Sequence, residues 1–112
     1  MSTYVPDRWA IIEIKNSTET LYKVLASWGG GYLYGASWKI SSGITSVTTT
    51  DEAYEFLNYS GSTYVCSKNG YGISAYTASV YSSFEKQLGD KAQIRLLEEN
   101  EATDLTFTKV IE

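Results

Sequence analysis

A chain of 112 residues has the length of one domain, and a domain of that size buries about 65% of its unfolded surface. Hydrophobic content of 43%, with 14% aromatic, excludes a disordered segment, and a net charge of −4 argues against the broad basic surface that a nucleic-acid polymer requires. Histidine is absent and cysteine occurs once, at Cys66, which removes the commonest general base and metal ligand and excludes an intrachain disulfide.

Arg8 to Lys15 reads as a strand with Ala10, Ile12 and Ile14 on one face and Trp9, Ile11 and Glu13 on the other. Asn16 to Glu19 is a turn, and Thr20 to Trp28 a second strand with Tyr22, Val24, Ala26 and Trp28 on one side, making an antiparallel hairpin. A block of glycine and large aromatics follows, Trp28-Gly29-Gly30-Gly31-Tyr32-Leu33-Tyr34-Gly35-Ala36-Ser37-Trp38, with a short strand from Ser37 to Ile40. Ser41 to Gly43 is a turn. Ile44 to Thr50, Ala53 to Tyr59 and Thr63 to Ser67 read as further strands, so about six short strands run in succession as a meander.

The period then changes. Tyr76, Val80, Phe84 and Leu88 recur every four residues, flanked by Ile73 and Tyr81, which predicts a helix over 74–88. Ser74 or Thr77 suits its N-cap and Gly89 its C-terminal cap. Lys91 to Leu97 is a strand, Glu98 to Glu101 an acidic turn, and Leu105 to Ile111 a last strand. The expectation is one α+β domain over 1–112, mainly antiparallel sheet, with one principal helix and two C-terminal strands.

Four features carry candidate chemistry. In the aromatic-glycine block, Trp28, Tyr32, Tyr34 and Trp38 offer flat surfaces for stacking on a base, worth about 1–3 kcal/mol per base, or else pack as a hairpin connection. The loop Ser67-Lys68-Asn69-Gly70-Tyr71-Gly72-Ile73-Ser74 opens onto a helix N-terminus, where free N–H groups and the helix dipole favour an anion, with Lys68, Ser74 and Thr77 as possible further donors. It lacks the Gly-Lys-Ser/Thr ending of a phosphate-binding P-loop and the third glycine of a dinucleotide fingerprint. Arg8 and Arg95 are the only arginines, each suited either to a phosphate or to a neighbouring carboxylate. The ten tyrosines suit a contact surface or cross-strand aromatic pairs. No metal-ligand spacing, carboxylate pair or nucleophile elbow is legible, so the expectation is a non-enzyme without catalytic residue, metal or cofactor.

The segments Pro6-Asp7-Arg8-Trp9, Tyr22 to Trp28, Gly30-Gly31-Tyr32, Ser37-Trp38-Lys39, Ser42-Gly43-Ile44, Tyr54-Glu55-Phe56, Gly61 to Cys66 and Tyr71 to Tyr76 together resemble a family of small proteins encoded by tailed bacteriophages. The order of antiparallel strands, helix and terminal strands is similar to that of phage sponges that counter Thoeris immunity. The resemblance implies a phage anti-defence protein that sequesters a small nucleotide signal, a cyclic nucleotide or a cyclic ADP-ribose derivative, and that forms a homo-oligomer. Its ligand contacts are expected at Arg8, Trp28, Tyr32, Tyr34, Trp38, Lys68, Tyr71, Ser74 and Arg95. The alternatives are an inhibitor that grips a host defence protein through an acidic, Tyr-rich face, and a structural component of the virion. With no basic-then-apolar leader at Met1 to Asp7 and no apolar run near the ~20 residues of a membrane span, the expected location is the host cytoplasm, with no membrane partner.

Overall fold

The computed structural model describes residues 2–29, 36–73 and 75–103. In chain order its elements are β1 (Thr3–Tyr4), β2 (Arg8–Lys15), β3 (Thr20–Gly29), β4 (Ala36–Ile40), β5 (Ile44–Thr49), β6 (Ala53–Asn58), β7 (Thr63–Ser67), α1 (Ala75–Leu88), β8 (Gln93–Leu96) and α2 (Glu99–Thr103). The mainly antiparallel α+β architecture matches the sequence reading. The single long meander does not. The strands form two four-stranded sheets, β4-β3-β2-β8 and β1-β7-β6-β5.

Ser41 is where the chain changes sheet. Its amide donates to the Val24 carbonyl at 2.9 Å, which extends the β3–β4 ladder by one residue. The Val24 amide, however, donates to the Ser41 hydroxyl at 2.8 Å rather than to its carbonyl. A side chain completes the pair, so the backbone is released to turn away. Ile44 then drops fully buried into the space between the sheets.

The alternation read in β2 has a physical partner on each side. Trp9 and Ile11, with Val24 and Ala26 of β3, pack against Ile44, Phe56, Tyr64 and Cys66 of the second sheet. Ile12, Ile14 and Leu25 point the other way and pack against Ile73, Val80, Tyr81, Phe84 and Leu88. The first sheet is thus the middle layer, buried on both faces, which is why Trp9 to Ile12 form an unbroken apolar run. Trp9 is the hub of the sheet–sheet core: its ring meets Phe56 at 5.5 Å and Tyr71 edge-on at 4.6 Å, and its Nε1 donates to the Ser67 carbonyl at 2.7 Å.

Other departures are local. β1 was not anticipated, and it pairs in parallel with β7, Thr3 opposite Thr63 and Tyr4 opposite Tyr64. Glu99 to Thr103 is a short helix, not an acidic turn, because Ala102 is buried against the sheet–sheet core and Glu101 reaches back to accept the Glu98 amide at 2.9 Å. Thr77 lies inside α1 and is buried, so it is no N-cap. Gly89 does end the helix: at φ +52° it adopts the left-handed conformation that a side chain resists. Ser74 and the strand expected over 105–111 fall outside the described residues.

Candidate functional site

Two registers align three side chains across the middle sheet. Arg8 of β2 lies opposite Ser27 of β3, and Ser27 lies opposite Trp38 of β4. All three share the face on which Leu25 and Ile12 meet α1. Arg8 and Trp38 therefore stand two strands apart, about 10 Å between Cα atoms, with the buried Ser27 between them in the row. Trp38 is 45% exposed. It walls a groove of about 210 Å³ against α1, with Ile40, Val80 and Phe84 as apolar lining and Ser79 and Ser83 as polar lining.

The loop into α1 runs beside Arg8. The Trp9 amide donates to the Gly70 carbonyl at 3.1 Å, and the Gly72 amide donates to the Trp9 carbonyl at 2.8 Å, so Tyr71 forms a one-residue parallel bridge with β2. At Gly72, where φ is +133°, an added Cβ would sit 3.4 Å from Arg8 Nη1. Arg8 is exposed, and among the described residues it makes no ion pair.

Arg95 differs. Its Nη1 donates to both Glu101 oxygens, at 3.0 and 2.8 Å, and its Nε donates to Glu13 Oε1 at 3.4 Å. The Glu101 carboxylate raises the Arg95 guanidinium above its usual value, and the Glu98 amide followed by Arg95 holds the Glu101 carboxyl below its own. A larger open cleft of about 720 Å³ adjoins this cluster, but Glu13 and Glu85 line it beside Lys15 and Arg95. Its arginine is already taken by Glu13 and by Glu101.

The remaining sequence candidates are dispersed. Trp28 faces away from Trp38: its Nε1 donates to the Val5 carbonyl at 3.0 Å and its ring meets Tyr4 edge-on at 6.3 Å. Lys68 holds its ammonium 5.3 Å from the centre of the Tyr54 ring. Tyr71 turns its ring onto Trp9, and its hydroxyl donates to the Leu97 carbonyl at 2.6 Å. Tyr32, Tyr34 and Ser74 lie outside the described residues. Of the nine positions, Arg8 and Trp38 share a face and a cross-strand row. Ser27 was missed, since nothing marks it except its place in two registers. Asp7 was missed as well. Its Oδ2 accepts the Gly29 amide at 2.7 Å, which anchors the start of the glycine-rich connection.

Among the described residues no three Cys, Asp or Glu side chains cluster as metal ligands, and no helix is long and apolar enough to cross a membrane. No protein-family model, curated protein or solved structure matches the chain. The class that this fold defines is a pair of packed, mainly antiparallel β-sheets with one helix on the outer face of one of them.

Proposed function

We propose that the chain is a non-enzymatic phage anti-defence protein that binds and sequesters a small nucleotide signal on the helix-facing side of its middle sheet. The observation that carries this reading is the Arg8–Ser27–Trp38 row. A guanidinium offers paired N–H donors to a phosphate, and an exposed indole offers a stacking surface to a base. Ser27 between them is small but buried, so a sugar would lie over the row and not against the serine itself. The loop at Gly70 to Gly72 runs beside the phosphate end, and the glycine at 72 lets Arg8 approach it closely. Arg95, held by two carboxylates, takes no part.

The test is a thermal-shift and calorimetric titration of the purified protein with cyclic mono- and dinucleotides and with ADP-ribose derivatives. A ligand at 100 times its Kd stabilises the fold by about 2.7 kcal/mol, which moves the melting temperature by several degrees. Arg8→Gln should abolish the shift. A flat response across the panel overturns the reading.

One observation favours a second reading, an inhibitor that grips a host defence protein. Leu57 and Tyr59 are strongly exposed on and just beyond β6, and Leu57 shares the outer side of that strand with Glu55. A stable complex recovered with a host protein, lost in Tyr59→Ala and indifferent to nucleotide, would support it instead.

A further inference from the structure

β4 is an edge strand of the middle sheet: it pairs with β3 on one side and, among the described residues, with nothing on the other. The ladder determines which of its groups face outward. The Ser41 amide bonds the Val24 carbonyl, so by alternation the β3-facing groups of β4 belong to Ser37 and Lys39. The N–H and C=O groups of Ala36, Trp38 and Ile40 therefore point away from the sheet. Natural sheets blunt such an edge with proline, a bulge or charge; β4 has no proline and no register shift against β3, and it carries a single charge. Its one charged residue, Lys39, points to the opposite face, with Nζ 5.3 Å from the centre of the Tyr4 ring.

We infer that this edge is a homodimer interface, with β4 of one chain pairing antiparallel with β4 of a second copy about a twofold axis at Trp38. The five-residue strand is self-complementary around its centre. With Trp38 opposite Trp38 of the second copy, Ala36 meets Ile40 and Ile40 meets Ala36, so every outward donor finds an outward acceptor. The two exposed indoles become a cross-strand aromatic pair, an arrangement that stabilises antiparallel strands. The flanking surface suits a second copy for two reasons. First, the chain carries a net charge of −4, yet β4 contains no acidic residue and α1 contains no charged residue before Glu85. Second, the helix lines the groove beside Trp38 with the small residues Ser79 and Ser83, so the two copies of α1 are able to approach closely. The pairing joins the two middle sheets into one continuous sheet. It also sets Trp38 of the second copy beside the row of Arg8, Ser27 and Trp38, and that consequence alone rests on the ligand reading above.

The test uses the full chain without nucleotide. Sedimentation velocity across the micromolar range should show a dimer. Trp38→Glu sets two carboxylates against each other at the axis, and Ala36→Pro removes an outward N–H while sparing the β3 ladder, at a strand-initial position that tolerates proline. Both variants should sediment as monomers and keep a cooperative unfolding transition. In the wild type the amides of Trp38 and Ile40 should exchange slowly, and in both variants quickly. A monomeric wild type, or a dimer that survives both substitutions, overturns the inference. So does a monomer with slowly exchanging Trp38 and Ile40 amides, because another part of the same chain would then cover the edge. Nucleotide binding by a monomer would leave the ligand reading standing and remove this one.

Discussion

The Tyr71 hydroxyl reaches 26 positions along the sequence to donate to the Leu97 carbonyl at 2.6 Å, and 60 positions the other way to accept the Ile11 amide at 3.3 Å. Ile11 sits in a gap along the edge of β2. The bridge at Trp9 ends before it and the β8 ladder begins after it, at Ile12. Its carbonyl is taken by the Leu97 amide at 2.9 Å, and its amide is left to the tyrosine. One phenol thus closes the seam where the loop into α1, β2 and the start of α2 converge. Tyr71→Phe keeps the ring against Trp9 but leaves a buried donor and acceptor unpaired, which should destabilise the protein by about 1–3 kcal/mol. Urea unfolding of the variant checks this, and a loss below about 0.5 kcal/mol would mean that water replaces the hydroxyl without penalty.

Gly70 meets the same seam from the other side. A Cβ there would lie 2.9 Å from the Asp7 carbonyl oxygen and 3.5 Å from Trp9 Cδ1. The first contact is with backbone that the Ser27 carbonyl holds through the Asp7 amide at 2.9 Å, so it has little freedom to move. Gly70→Ala should therefore cost about 1–3 kcal/mol by overpacking. It should also weaken the Trp9–Gly70 hydrogen bond, seen as faster exchange of the Trp9 amide.

Alkaline conditions should undo the sheet–sheet core. Burial, and secondarily the neighbouring Tyr4 and Cys66, pushes the Tyr64 phenol up to about 12. A folded-state pKa above the unfolded value means that the native state holds its proton longer. The resulting stability is complete below about pH 10, the unfolded tyrosine value, and is lost as the pH rises towards about 12. Tyr71 is raised in the same direction, chiefly by burial. Stability measured by denaturant should fall across that window, and more shallowly in Tyr64→Phe. Burial raises the Cys66 thiol too, so a thiol reagent at neutral pH should label it only at the rate of unfolding.

The two arginines should separate cleanly. Arg95→Gln removes exposed ion pairs, which contribute little to stability at neutral pH. It should leave any nucleotide-induced thermal shift unchanged, whereas Arg8→Gln should remove that shift. The Glu101 carboxyl, held below its usual value by the Glu98 amide and by Arg95, favours folding above the ordinary carboxylate range and loses that effect as the pH falls through its lowered value. Acid should therefore loosen α2 first. Circular dichroism of Glu101→Gln, already lacking the carboxylate at neutral pH, should show a flatter acid response.

Much of this architecture was legible along the chain because it is written in periods. The alternation of Trp9 and Ile11 against Ala10, Ile12 and Ile14 marked both faces of β2. The four-residue spacing that includes Val80, Phe84 and Leu88 marked the inner face of α1, and Gly89 marked its end. The split into two sheets was not legible, because Ser41-Ser42-Gly43 has the composition of an ordinary hairpin turn. Only the Ser41 hydroxyl on the Val24 amide makes it a departure point. Glu98 to Glu101 read as a turn because their charge is visible locally, whereas the burial of Ala102 against a distant core is not.

The candidate site divides the same way. Residue type alone selected Arg8 and Arg95 as rare cations and Trp28 and Trp38 as exposed-ring candidates, and chain order supplied the strands that hold them. Which arginine is left without an ion pair among the described residues, and which tryptophan shares its face, depended on register. Arg95 falls beside Glu13 in the β2–β8 ladder and within reach of Glu101, and Arg8 falls in line with Ser27 and Trp38. A one-residue difference in pairing would move each side chain to the other face of the sheet. The sequence by itself determined the longer strands and the long helix, the two faces of β2 and the scarcity of charge along β4 and the first half of α1. The tertiary structure alone decided where the succession breaks, between β4 and β5, and which distant strands became neighbours, β1 with β7 and β2 with β8, because those outcomes come from packing between segments far apart in the chain and no local pattern encodes them.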